Sequence, residues 1–189
     1  MGTLKQFMST QAIWLQQGPD GNSIKDYWTF DVSCLHRMYR ADGMSKVAYI
    51  PMDVSVGDAC PADIRGHILP FGAKNQIEES HQFNYDTGSR TYSCPKSGYW
   101  FRAMLLDENR IPYNQNLVGG NQILATNTKK FAFVAWPDEY EVSGVRTYIV
   151  NEAGTVYGWD SGSDEDKIVL KWPSPEEFQG AQPKWEPAD

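Results

Sequence analysis

The region 98–160 constrains the fold most, because it consists of short β-forming runs that are separated by turn residues. Two sets of side chains alternate along 99–106 and along 145–150, with the two-residue period of a strand. The run 131–136 is apolar throughout and ends at Pro137, which cannot donate a hydrogen bond to a strand ladder. These runs predict an antiparallel β-meander.

The clearest hairpin lies at the end of this region. Residues 145–150 and 155–159 are rich in β-branched and aromatic side chains, and the intervening turn Asn151-Glu152-Ala153-Gly154 ends in glycine. Two such runs on either side of a short glycine-containing loop indicate a β-hairpin.

Helical patterns precede the strands. Residues 3–17 predict a helix with an apolar stripe at three- and four-residue spacing, formed by Leu4, Phe7, Met8, Ala12 and Leu15. Asp31 is a predicted N-cap for a second helix, whose stripe is Val32, Leu35, Met38 and Tyr39 and which stops at 41–43. Helices followed by a run of strands indicate an α+β fold, with one or two N-terminal helices packed on the meander.

The chain has 189 residues, a length that suits one globular domain. We divide this domain into a helical part (1–43), a loop-rich insert (44–97), the β-meander (98–160) and an acidic, proline-rich tail (161–189). Within the insert, 46–50 is a possible strand and 60–64 a possible short helix. Trp172 and Trp185 are expected to hold the tail on the domain surface.

Net charge argues against nucleic-acid binding. The chain carries −7, and the part from Pro137 onward has 12 acidic and 4 basic residues. An acidic chain without a basic stripe is a poor ligand for phosphate backbones.

The sequence contains no recognisable catalytic motif, and we expect no enzymatic activity. His36, His67 and His81 lack the spacing of a zinc site and are predicted to be surface or hydrogen-bonded residues. No Gly-x-Ser-x-Gly elbow and no phosphate-binding loop occurs. An undetected hydrolase that uses His67 or His81 is the weakest of three functional hypotheses.

Three cysteines leave two interpretations open. Cys60 and Cys94 each precede a proline and could pair in an oxidising compartment, which would leave Cys34 unpaired. The alternative is three buried thiols that behave as small apolar side chains.

Several segments resemble the globular heads of pilin-like exported bacterial domains, namely type IV pilins and type II secretion pseudopilins. The resemblance lies in 98–103, in 131–137, and in Tyr140, Ser143-Gly144, 146–151 and Gly154, with a further familiar segment at 25–32. It is strongest over 98–159, about a third of the chain. The hydrophobic anchor and the cleavage site of that family do not occur in this sequence.

The resemblance implies a long N-terminal helix on a small antiparallel sheet and a structural, secretion or cell-surface role. It implies export to the periplasm or cell surface, other pilin-like subunits as partners, and a membrane segment preceding 3–17. The abrupt start at Met1-Gly2 agrees with a targeting or membrane segment that this sequence does not include.

Calcium is the one cofactor that the residues suggest. Asp160, Asp164 and Asp166 crowd a Ser/Gly-rich turn together with Glu165, and hard cations prefer such oxygen ligands. Calcium in a C-terminal loop of pseudopilins agrees with this assignment. The alternative is a solvated acidic turn.

The second functional hypothesis is a module that binds carbohydrate or another surface ligand. It depends on Trp136, Trp159, Trp172 and Trp185, four tryptophans toward one end of the chain. Exposed rings would form a stacking surface, whereas buried rings would be core or tail anchors.

Overall fold

A computed structural model of the chain describes residues 2–18, 23–36, 38–39, 46–59, 94–117, 124–179 and 183–188. The helices in these residues are α1 (Gly2–Gln17), α2 (Met52–Val56) and α3 (Pro175–Gln179), with a 3₁₀ turn at Ser33–His36. None of them is long and apolar enough to cross a membrane. The strands are β1 (Tyr27–Trp28), β2 (Met38–Tyr39), β3 (Lys46–Val47), β4 (Tyr99–Ala103), β5 (Asn116–Leu117), β6 (Leu124–Asn127), β7 (Ala132–Pro137), β8 (Arg146–Asn151), β9 (Val156–Asp160) and β10 (Glu186–Pro187).

The main sheet has the strand order β10-β9-β8-β7-β4, and every neighbouring pair is antiparallel. Ala135 of β7 lies opposite Phe101 of β4 on one side and Tyr148 of β8 on the other. A smaller sheet has the order β1-β6-β5, and β2 pairs with β3. Helix and antiparallel sheet together confirm the predicted α+β class.

Strand β7 explains the continuous apolar run in the sequence, because all six of its residues are buried. Phe133 and Ala135 face the core under α1, whereas Val134 and Trp136 face a second core on the opposite side of the sheet. A strand that is covered on both faces loses the alternation of polar and apolar residues.

Helix α1 covers the first face. Phe7 lies 4.8 Å from Phe133 and 5.8 Å from Phe101 between ring centroids, the latter in an edge-on geometry. Leu4 is buried beside it in the same core. Aromatic contacts of this kind add to the stabilisation from buried area.

The second half of α1 packs against the smaller sheet. The Trp14 ring lies 5.2 Å from that of Trp28. Buried Gln11 donates from Nε2 to the Trp28 carbonyl at 2.6 Å and accepts from the Trp28 N–H at 2.9 Å. Gln11 therefore satisfies the outer edge of β1 as a neighbouring strand would.

The predicted stripe of α1 is only half correct. Leu4 and Phe7 are buried and Met8 packs half-buried against the same core, but the fully buried face continues through Thr10, Gln11 and Trp14 rather than through Ala12 and Leu15. Polar residues occupy this face because their hydrogen bonds are satisfied there: Thr10 donates to the Tyr49 carbonyl at 3.1 Å.

The predicted second helix is wrong beyond its first turn. Asp31 does cap that turn, since its Oδ1 accepts from the Cys34 N–H at 3.1 Å. Asp58 accepts the N–H groups of Val32 and Ser33 at 2.9 and 2.7 Å. The helix stops at His36 because Met38 and Tyr39 pair with β3.

The strand predicted at 46–50 is present as the two-residue strand β3, and helix α2, which was not predicted, follows it in the insert. The possible helix at 60–64 lies outside the described residues.

Trp172 and Trp185 hold the tail on the domain, as predicted, and the tail thereby covers the second face of the main sheet, which was not predicted. Trp172 and Trp185 are buried against Val134, Trp136 and Ile149. The additional elements α3 and β10 were not predicted.

We expect Phe7→Ala to lower the free energy of unfolding by about 3–5 kcal/mol, because it removes a buried ring between helix and sheet. Ile13→Ala, on the exposed face of the same helix, should change it by less than about 1 kcal/mol. Chemical denaturation of both variants measures the difference, and equal losses would contradict the described packing.

Candidate functional site

The predicted calcium ligands lie at the last residue of β9 (Asp160) and in the loop that follows it (Asp164 and Asp166), and each accepts hydrogen bonds from the protein. Asp160 accepts from the Tyr140 hydroxyl at 2.7 Å and from the Gly162 N–H at 3.0 Å. Asp164 accepts from the Tyr140 N–H at 2.9 Å and from the ammonium of Lys167. Asp166 accepts from the Ser163 hydroxyl at 3.2 Å.

These donors favour the ionised carboxylates. The Tyr140 hydroxyl lowers the pKa of Asp160, and the Lys167 ammonium lowers the pKa of Asp164. Within the described part of the chain, no group of three or more His, Cys, Asp or Glu side chains is arranged to hold a metal ion. Calcium binding stays a prediction, and Lys167 would compete with the ion for the Asp164 carboxylate.

His36 is a buried structural residue. Its Nδ1 lies 2.6 Å from the Ile50 carbonyl oxygen, which confirms the hydrogen-bonded interpretation. His67 and His81 lie outside the described residues, as does Cys60. Cys34 is buried and Cys94 is exposed, which contradicts the interpretation of three buried thiols. A Cys60–Cys94 pairing stays a prediction, because Cys60 is not among the described residues.

The second group of interest is a pair of buried carboxylates, Asp31 and Asp58. Both are inaccessible to solvent, and the Asp31 carboxylate also accepts from the Trp28 indole N–H at 3.2 Å. Burial, reinforced by the charge of Asp58, raises the pKa of Asp31 to about 7. Because both groups hold backbone N–H groups of the 3₁₀ turn, their geometry is that of a structural cap.

The four tryptophans do not form an exposed platform. Trp136, Trp172 and Trp185 are buried, and half-buried Trp159 lies 5.5 Å from Trp185 between ring centroids. Trp136, Trp172 and Trp185 belong to the core beneath the tail, which confirms the alternative of core or tail anchors for these three rings.

A different set of rings lines an open cavity, which we call the aromatic cleft. Tyr157 of β9, Trp172 of the tail and Phe178 of α3 form one wall, with centroid separations of 4.7 Å for Tyr157–Phe178 and 5.8 Å for Trp172–Phe178. The cavity encloses about 340 Å³. An open cavity lined by aromatic residues and a few polar groups is typical of a ligand site.

Charged groups line the remainder of the cleft. Glu152, from the β8–β9 turn, accepts the Phe131 N–H at 3.2 Å, and Lys130 donates to Glu108 at 2.7 Å and to Asp107 at 3.1 Å. Buried Tyr113 forms part of the floor. The cleft therefore combines aromatic, acidic and basic side chains within one cavity.

Local hydrogen bonds fix these groups. Asp107 accepts the N–H groups of Asn109 and Ile111 at 2.8 and 2.9 Å, which closes the turn that carries Glu108. Burial alone would raise the pKa of Asp107, but the bonds from Ile111 and Lys130 lower it. Asp107 thus stays ionised and holds Lys130 in place.

Helix α3, which places Phe178 in the cleft lining, begins with a capping box. Pro175 occupies the first helical position, and the Glu177 carboxylate accepts the Ser174 N–H at 2.8 Å. The sequence Ser174-Pro175-Glu176-Glu177 contains this signal, and it could have located the helix. Nothing in the sequence indicates that Glu108, Lys130 and Glu152 meet there, since the turns that carry them are far apart in the chain.

The fold defines an α+β domain. A family model described as protein of unknown function (DUF2950) matches residues 71–185, more than half of the chain. The chain belongs to this family. No curated protein and no solved structure gave a significant match.

The family match contains β4 to β9, α3 and every residue that lines the aromatic cleft. It does not reach α1, which precedes it. Nothing in the comparisons bears on the pilin-like resemblance, which remains a hypothesis.

The raised pKa of Asp31 predicts that stability falls as pH rises from about 4 to about 7. Across this range the folded state binds more protons at Asp31 than the unfolded state, so ionisation favours unfolding. Each pKa unit corresponds to ~1.4 kcal/mol, so we expect a loss of a few kcal/mol from this group. Asp31→Asn retains an acceptor for Cys34 and Trp28 and should flatten the fall, as measured by denaturation at several pH values. An equally steep fall in the variant would contradict the assignment.

Calcium binding at Asp160, Asp164 and Asp166 predicts a higher Tm in millimolar calcium chloride, because a ligand of the folded state stabilises it. Asp164→Asn should reduce that rise, and magnesium chloride at equal ionic strength is the control. An unchanged Tm with calcium would end this prediction.

Proposed function

We propose that this chain is a non-enzymatic, pilin-like domain with a structural role in secretion or at the cell surface. The observation that carries the proposal is the packing of α1 along one face of the main sheet through Leu4 and Phe7. A helix that lies on an antiparallel sheet is the arrangement that the resemblance implies. The proposal includes export, other pilin-like subunits as partners, and attachment to a membrane through a segment before α1.

The start of α1 is compatible with such an attachment. Gly2 is exposed, and a side chain at this position would face open space.

Antibodies against the domain provide a test in the cells that produce it. After fractionation, we expect the protein in the periplasm, in the membrane fraction or in material sheared from the cell surface. Cross-linking of intact cells should give multimers that contain more than one copy. A protein found only in the cytosol, and only as monomer, would overturn the proposal.

A second candidate function is a module that binds a surface ligand, and the aromatic cleft favours it. The three-ring wall of Tyr157, Trp172 and Phe178 borders a cavity with carboxylates and a lysine. The ring wall of the cleft packs against the face of the main sheet opposite α1. The two functions are therefore compatible within one domain.

A further inference from the structure

The charges around the aromatic cleft do not balance. Glu108 and Glu152 line the cleft, and Asp107 lies directly behind it. Lys130 is the single cation among the described residues of its lining, and it contacts Glu108 and Asp107. Three carboxylates and one ammonium leave an excess of negative charge, and Glu152 lies outside the lysine's contacts.

The negative charge of these carboxylates also acts on Tyr113 at the floor of the cleft. Burial raises the pKa of Tyr113, and the nearby charges of Glu152, Glu108 and Asp107 raise it further. Each of these contributions disfavours a further negative charge. A ligand that carries positive charge would gain from the field, whereas an anion would be repelled.

The ring wall adds a second attraction for cations. The face of an aromatic ring carries partial negative charge and attracts an ammonium or guanidinium group. The chain already contains one such contact on the same face of β9, where Lys184 Nζ lies 3.7 Å from the ring centre of Trp159. Tyr157 is two residues from Trp159 on that strand and belongs to the cleft.

The size of the cavity limits the ligand. Its volume of about 340 Å³ lies at the lower end of the ~300–1,000 Å³ that is typical of small-molecule pockets. A small organic group fits this space, with its charged end near Glu152 and its apolar part against Phe178 and Trp172.

We propose that the aromatic cleft binds a small organic cation, an alkylated ammonium or a guanidinium compound, between the Glu152 carboxylate and the wall of Tyr157, Trp172 and Phe178. This inference rests on the ligand-binding function proposed above for the cleft. A neutral sugar would gain stacking from the rings but nothing from the excess negative charge. Charge is therefore the property that distinguishes the two ligand classes.

Isothermal titration calorimetry with choline, and with its uncharged isostere 3,3-dimethylbutan-1-ol, tests this distinction. Both molecules have the same branched shape, so a difference in affinity reports the charge. We expect choline to bind at least about tenfold more tightly, which corresponds to ~1.4 kcal/mol. Its affinity should fall as sodium chloride is raised, because salt screens the carboxylates. Agmatine provides the guanidinium arm.

Three variants locate the site. Glu152→Gln retains an acceptor for the Phe131 N–H but removes the charge, and we expect about a tenfold loss of choline affinity. Phe178→Leu retains an apolar side chain but removes a ring, and we expect about a fivefold loss. Glu139→Gln makes the same charge change at an exposed residue away from the cleft lining and should leave binding unchanged. Circular dichroism confirms that each variant is folded.

The outcomes separate the two proposals. Equal affinities for choline and its isostere would overturn the proposal that the ligand is a cation and leave the ligand-binding function in place. Binding of glucose and N-acetylglucosamine that is insensitive to Glu152→Gln would have the same consequence. No binding of any probe at about 10 mM, weaker than ordinary small-molecule affinities, would overturn both.

Discussion

The structure depends on the burial of β7 on both of its faces. A strand with Phe133 and Ala135 on one side and Val134 and Trp136 on the other cannot leave either side in water. Helix α1 covers the first side and the C-terminal tail covers the second. Two segments from opposite ends of the chain are thus required by one strand in the middle, and the domain is a sheet enclosed between them.

The aromatic cleft follows from the way in which the tail completes this cover. Trp172 reaches the core, but the next residues turn into the short helix α3, which holds Phe178 beside Tyr157 at the margin of the sheet. The cavity lies where the cover ends, next to the β8–β9 turn. The tail therefore forms part of the core and also part of the wall of the candidate site. Glu108, Lys130 and Glu152, the charged residues of the lining, come from turns at the same margin of the sheet.

Buried polar groups join the smaller elements to this frame. Gln11 completes the edge of β1, and Asp58 holds the first N–H groups of the 3₁₀ turn, so helix, short sheet and turn are connected by hydrogen bonds rather than by apolar contact alone. These groups also explain why sequence patterns failed there. A polar residue on a helix face is predicted to be exposed as long as its hydrogen-bond partner is unknown. A capped first turn predicts a full helix as long as the strand pairing of the following residues is unknown.

The sequence by itself determined the α+β class, helix α1, strands β4, β7, β8 and β9, and the anchoring role of Trp172 and Trp185. These features follow from side-chain period, turn residues and apolar content, which are local properties of the chain. Only the tertiary structure decided which tryptophans are buried, that α1 continues its inner face through Gln11, and that Glu108, Lys130, Glu152 and Phe178 line one cavity. Those facts depend on contacts between residues far apart in sequence, and no local pattern encodes which turns meet at the margin of a sheet.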